Sequence, residues 1–256
     1  GVSAGTWASG GNTNTQAGQR GSASLSTNSN AFVSGGFNAG AGTVTSNAES
    51  YNGTSWAEGP NQPGTSRLGG SWGATNSYVT AGGSIGPGGA PINAVAFEWN
   101  GSSFSNGGSL NNARRNAAGA GISETAGRVY GGGDNPGPAQ NFNEGYNGSV
   151  FSNDTAMNTA RVGPVGFGTT TAAIAAGGGG TVLNELWNGT SWTELGDLTG
   201  SMSNSGGRAG TSTDGLIFSK NGTPPGAQSC QFWDGTSWTE VADQSVNRYN
   251  NTGGGP

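Results

Sequence analysis

Trp187-Asn188-Gly189-Thr190-Ser191-Trp192 sets an Asn-Gly turn between two aromatic residues, and the chain repeats the phrase. The other full copies are Tyr51-Asn52-Gly53-Thr54-Ser55-Trp56, Trp99-Asn100-Gly101-Ser102-Ser103-Phe104, Tyr146-Asn147-Gly148-Ser149-Val150-Phe151 and Trp233-Asp234-Gly235-Thr236-Ser237-Trp238. A remnant, Gly5-Thr6-Trp7, precedes them. The final aromatics stand at 7, 56, 104, 151, 192 and 238, a spacing near 46 residues. Asn-Gly or Asp-Gly between aromatic-ended segments is a strong hairpin signal, because a type I′ turn needs φ > 0 at both central positions. Each copy is therefore expected to join two antiparallel strands, c and d, with the Asn in the left-handed region.

Upstream of each hairpin runs a short apolar strand, b, that ends on a residue pair permitting a sharp turn. It reads Ala31-Phe32-Val33-Ser34-Gly35-Gly36, Tyr78-Val79-Thr80-Ala81-Gly82-Gly83, Gly127-Arg128-Val129-Tyr130-Gly131-Gly132 and Ala173-Ile174-Ala175-Ala176-Gly177-Gly178. In the fifth unit, Leu216-Ile217-Phe218-Ser219-Lys220-Asn221, the glycines are lost. Before strand b comes one Arg per unit, Arg20, Arg67, Arg114, Arg161 and Arg208, with Arg248 opening a sixth copy that stops. The stretch from Arg to strand b is rich in Gly, Ala, Ser and Thr and is read as strand a. Small side chains suit first strands that crowd around a common axis, while the bulky aromatics of c and d fill the space where sheets diverge.

Four strands per unit of this length is the spacing of propeller blades. The fold expected is all-β, a β-propeller of four-stranded blades near 20–56, 67–104, 114–151, 161–192 and 208–238. It forms a single domain over 1–250, with 1–19 as an N-terminal closing strand and 251–256 as a Gly-rich tail. Five blades is the count the full copies give; a sixth would need another segment to complete the blade that Trp7 begins. An acidic residue precedes the strand-c aromatic in four units (Glu49, Glu98, Glu144, Glu185), and Gln231 replaces it in the fifth. One Arg and one Glu per unit predict a repeated Arg–Glu contact that sets blade geometry. The aromatics Trp56, Phe104, Phe151, Trp192 and Trp238 belong to the same structural repeat.

Composition agrees with this reading and closes off much chemistry. Gly and Pro make up about a quarter of the 256 residues, and Leu, Ile, Val and Phe together number only 34, too few for an ordinary helical core. Eight Trp, nine Phe and five Tyr, recurring in register, are too many for a solvated tract. There is no His, one Cys (Cys230) and one Lys (Lys220). His-dependent triads and His-ligated or multi-cysteine metal sites are thereby excluded. No Gly-x-Ser-x-Gly elbow stands between a strand and a helix, and Gly177-Gly178-Gly179-Gly180 precedes no helix that would make it a phosphate cradle. Asp134-Asn135-Pro136-Gly137 holds one carboxylate and reads as a turn, not a calcium loop. A net charge of −5 with 9% charged residues gives no grip on nucleic acid or an anionic membrane, and no apolar run is long enough to span a bilayer. The Asn-Gly-Ser/Thr triplets at Asn52, Asn100, Asn147, Asn188 and Asn221 are read as turns, not glycosylation sites.

An Arg, a hydrophobic strand ending in Gly-Gly, then a Tyr or Trp with a second aromatic close behind, resembles the Kelch repeat of β-propellers. The resemblance covers 1 to about 250; the shortened c–d hairpin and the missing Gly-Gly of the fifth unit depart from it. The repeat wording (YNGTSW, WNGTSWTE, NTAR) is also similar to Gly-rich Kelch-like repeat proteins of marine bacteriophages. Galactose oxidase, which carries Kelch-like blades, resembles this chain only in the repeat, since its copper site uses His.

The resemblance implies a non-enzymatic module of a phage virion: a decoration, fibre or receptor-contacting propeller, with virion or extracellular location and no cofactor. Its partners would be other virion or surface proteins and host glycans or a receptor. The alternative is a secreted or cell-surface glycan-binding adhesin of a bacterium. Binding is expected on the b–c loops, which vary most between units and share a face with the d–a connections. The candidates are Ile85, Pro87, Ile92, Asp134, Asn135, Gln140 and Phe142, with Trp72 and Tyr78 as further surface aromatics for carbohydrate or protein contact.

Overall fold

The computed structural model describes residues 10–134, 137–202, 206–218, 229–245 and 252–255. Five four-stranded antiparallel sheets form a five-bladed β-propeller, and no helix occurs among the described residues. In strand order a to d, blade one is β1 (Gly21–Ser22), β2 (Ala31–Ser34), β5 (Ala48–Tyr51) and β6 (Trp56–Glu58). Between b and c this blade adds a two-stranded hairpin, β3 (Phe37–Asn38) and β4 (Thr43–Val44). Blade two is β7 (Gly70–Ala74), β8 (Ser77–Ala81), β9 (Val95–Trp99) and β10 (Phe104–Ser109). Blade three is β11 (Ala118–Ser123), β12 (Ala126–Tyr130), β13 (Asn143–Tyr146) and β14 (Phe151–Asn153). Blade four is β15 (Val165–Gly168), β16 (Ala173–Ala176), β17 (Asn184–Trp187) and β18 (Trp192–Glu194). Blade five is β19 (Gly207–Thr211), β20 (Asp214–Phe218), β21 (Cys230–Trp233) and β22 (Trp238–Val241).

The repeated aromatics face each other across each c–d hairpin. Tyr51 is opposite Trp56, Trp99 opposite Phe104, Tyr146 opposite Phe151, Trp187 opposite Trp192 and Trp233 opposite Trp238. Their ring centroids are 5.2, 5.0, 4.4, 5.7 and 5.3 Å apart, each pair contributing roughly 0.5–1.5 kcal/mol beyond its buried area. The turn between them is not type I′. Only the glycines, Gly53, Gly101, Gly148, Gly189 and Gly235, have φ near +90°, and the residue before each does not. The Asn is there for its side chain. Oδ1 of Asn52, Asn100, Asn147 and Asn188 accepts from the amides two and three residues on, and Asp234 does the same for Thr236 and Ser237. This is an Asx turn, in which a side-chain oxygen satisfies loop amides that strand pairing leaves free.

The Gly-Gly pairs tie one blade to the next. The first glycine amide bonds back to its own blade, and the second reaches the following unit: Gly36 to Ser66 O (2.8 Å), Gly83 to Arg114 O (2.8 Å), Gly132 to Arg161 O (2.9 Å) and Gly178 to Met202 O (2.7 Å). Both glycines of every pair lie at φ between 58° and 110°, where a side chain is strained. The fifth blade's counterpart, with Ser219, Lys220 and Asn221, lies outside the described residues, as do Trp7 and Arg248.

Large side chains fill the gaps between blades. Trp72 on β7 is fully buried against Tyr146 and Phe151 of blade three, and its indole N–H donates to Ser123 O at 2.9 Å. Phe32 meets Tyr78 and Trp99, Tyr130 meets Trp192, and Phe167 meets Trp238, each across a blade junction. Trp72 and Tyr78 are therefore core residues and not surface aromatics.

Blades five and one are joined by Thr252–Gly255. Gly210 N donates to Gly255 O and Gly255 N to Ser24 O, both at 2.9 Å, while Ser22 Oγ donates to Gly253 O. The expected glycine tail is thus a closing element. A Cβ on Gly254 would lie 2.0 Å from Ala23 O, and one on Gly253 would lie 2.5 Å from the Phe218 ring, so only glycine fits between the two innermost strands. Of the expected N-terminal closing strand, residues 10–19 are described and run beside blade one, where Trp56 donates its indole N–H to Gly11 O.

Candidate functional site

In blades one, three and four the acidic residue of strand c forms the base of a buried clamp. Glu49 takes the amides of Asn14 and Thr15 (2.6 and 3.1 Å) and Arg20 at 2.6 Å. Glu144 takes the amides of Asn111 and Asn112 (2.7 and 3.3 Å) and Arg114. Glu185 takes those of Asn158 and Thr159 (2.8 and 3.3 Å) and Arg161 at 2.8 Å. Burial works to raise the Glu49 carboxyl pKa, but Arg20 and the two amides outweigh it and hold it below the usual carboxylate range. Burial lowers Arg114 and Arg161, and their carboxylate partners oppose that shift.

Blades two and five do not form this pair. The backbone places Ser66 and Met202, not Arg67 and Arg208, where Arg114 and Arg161 stand, since these four carbonyls receive the Gly-Gly amides. In blade two Pro63 also occupies the place of Asn111 and Asn158 and has no amide to give. Glu98 instead accepts the Tyr146 hydroxyl, and burial together with that carboxylate pushes the phenol up to about 12. In blade five the neutral Met202 is matched by the neutral Gln231, which accepts from Thr199 N at 2.8 Å and donates to Gly200 O at 2.9 Å. Charge and partner are lost together, as the cost of an unpaired buried ion requires.

The d–a connections then converge on the axis. Gln19, Leu68, Asn116 and Gly163 take equivalent left-handed conformations, with φ of 59°, 61°, 51° and 67°. Their backbones form a relay around the axis: Leu68 N to Gln19 O (3.3 Å), Asn116 N to Leu68 O (2.7 Å) and Gly163 N to Asn116 O (2.8 Å). The residue preceding each pairs with the first residue after its own Gly-Gly: Gly18 with Phe37, Arg67 with Ser84, Arg115 with Gly133, and Val162 with Gly179. These bonds put the b–c loops and the axial opening on one face.

On that face Ile85, Pro87, Asp134 and Phe142 are exposed, Ile85 at 42% and Phe142 at 36%. Ile92 and Gln140 are half-buried, and Gln140 serves loop geometry, its amide bonding Gly132 O at 2.8 Å. Asn135 lies outside the described residues. The b–c loops of blades two and three carry all these positions, and the loop of blade one is the β3–β4 hairpin. Arg67 locks two of the loops together: its guanidinium stacks 4.5 Å from the Phe37 ring centroid and donates to Gln19 Oε1 and Pro87 O.

The arginines here have an electrostatic peculiarity that sequence reading missed. All 14 carboxylate side chains are among the described residues, yet none lies within 4.0 Å of Arg67, Arg115 or Arg208. The described arginines outside this face are all paired, Arg128 with Asp154 while its guanidinium lies over Trp187. Burial lowers the pKa of Arg67, and the neighbouring Arg115 charge adds to it. Arg115 and Arg208 are lowered by burial. The Arg114-Arg115 doublet was the one available sequence signal. Among the described residues no three His, Cys, Asp or Glu side chains gather as metal ligands.

The five four-stranded blades are consistent with a Kelch-like architecture. No family profile matches the chain, and no curated protein matches it.

Proposed function

We propose that this propeller is a non-enzymatic interaction module of a phage particle, acting as a decoration, fibre or receptor-contacting domain. The observation that carries the reading is the contrast between a uniform ring and four dissimilar b–c loops on one of its faces. The closing hairpins, Gly-Gly ties and aromatic pairs repeat with little change. The loops beginning at Phe37, Ser84, Gly133 and Gly179 differ in length, in strand content and in exposed apolar tips. Variation confined to one face of a rigid scaffold is where recognition is built. The exposed Pro87, Gly88 and Gly137 beside Ile85 and Phe142 leave backbone and apolar surface open to a partner such as a glycan or another surface protein. The particle assignment rests on the resemblance of the repeat wording to phage-encoded proteins.

Electron cryomicroscopy of the native assembly carrying the chain tests this. Propellers attached to a capsid or tail with the b–c loops outward or in contact with a neighbour are the expected result. Propellers on a cell envelope would overturn the particle assignment and favour the bacterial adhesin, for which a glycan array is the following experiment.

A further inference from the structure

The axial cavity, about 40 Å³, is walled by residues of all five blades, among them Arg20, Ser71, Asn116, Gly163 and Arg208, and by the closing Thr252. It has room for about three water-sized bodies, since each needs roughly 10–15 Å³ by the same measure. Two arginines line it. Arg20 is neutralised by Glu49. Arg208 is not: its Nη2 donates to Ser71 O (2.7 Å) and Ser71 Oγ (3.1 Å), and its Nε is buried without an acceptor. The nearby phenols of Tyr78 and Tyr130 supply no negative charge near neutrality, because burial raises both. A cation in a confined site with no carboxylate side chain in reach is costly unless a counter-ion joins it. Arg67 and Arg115 add positive potential on the same face.

We propose that the axial cavity is a binding site for a small inorganic anion of halide size, held by the Arg208 guanidinium at the point where the five blades and the closing segment meet. The anion would bridge elements from both ends of the chain, so occupancy would favour the closed ring.

The test is a crystal of the wild-type chain grown or soaked in sodium bromide and measured at the bromine edge. An anomalous peak on the axis beside Arg208 Nε is expected; density there without anomalous signal, that of water only, overturns the proposal. A second measurement needs no crystal. At constant ionic strength, replacing sodium gluconate by sodium chloride is expected to raise Tm by about 4 °C, and Arg208→Gln is expected to abolish that increment whatever its own Tm. Equal Tm in the two salts, or an increment that survives in Arg208→Gln, would equally overturn it. Both readouts are independent of the partner proposed for the b–c loops.

Discussion

Residue by residue, the clamps show how the chain keeps charge inside a small core. Glu144 is fully buried with Arg114. Removing one partner leaves the other uncompensated, so Glu144→Gln should cost about 3–5 kcal/mol in urea unfolding. Blade five indicates the remedy: with Met202 and Gln231 already standing as a neutral pair, the double variant Arg114→Met/Glu144→Gln should recover at least half of that loss, a non-additivity visible in a double-mutant cycle. The pH dependence follows from Glu49. Its folded pKa lies below the ordinary value near 4.5, so its contribution is complete above that value and is lost as pH falls through the folded pKa. Glu49→Gln should therefore flatten the decline of Tm between pH 5 and 3. Glu49, Glu144 and Glu185 were legible in the sequence because each stands two residues before a strand-c aromatic; Glu98 stands one residue before Trp99, which turns it to the other face of the sheet and leaves Phe97 in the clamp register. The arginines were legible only in part. Ser66 and Met202 carry no charge to mark the position, and it is the neighbouring blade's glycine amide that defines it.

At the scale of the element, the c–d hairpin was legible as a hairpin because its signal is local. Its turn type was not. The choice between a left-handed Asn and an Asx turn depends on where loop amides find acceptors, and both favour Asn before Gly. The two explanations separate experimentally. If the side-chain oxygen is what matters, Asn188→Asp should change stability by less than about 0.5 kcal/mol, and Asn188→Ala should cost about 1 kcal/mol. Gly189→Ala should cost roughly 1–3 kcal/mol for the backbone alone, because a Cβ there meets nothing closer than 3.6 Å while φ is +97°. Thermal or urea unfolding of the three variants checks the order.

For the whole molecule, closure and the proposed recognition face depend on contacts between distant parts of the chain. The Gly-rich end carries no side-chain pattern, so its seat between β1 and β19 is written in its neighbours' backbones and was illegible. Deleting 252–256 should lower Tm by at least about 5 °C, since the deletion leaves Gly210 N and Ser24 O without partners and unseals two blades; an unchanged Tm would remove the closing role. The candidate loops were legible as variable insertions between regular units. The unpaired Arg208 at the axis was not, because its surroundings are assembled from all five blades. The central claim, that recognition belongs to the b–c face, is tested most directly by two double variants compared on a glycan array and on the purified particle. Ile85→Ser/Phe142→Ser alters that face, and Ile122→Ser/Val150→Ser alters exposed apolar residues at the end of β11 and in the c–d turn of blade three. With Tm unchanged in both, the account predicts about a tenfold loss of binding for the first and less than about twofold for the second. Equal losses, or a loss confined to the second, would contradict it.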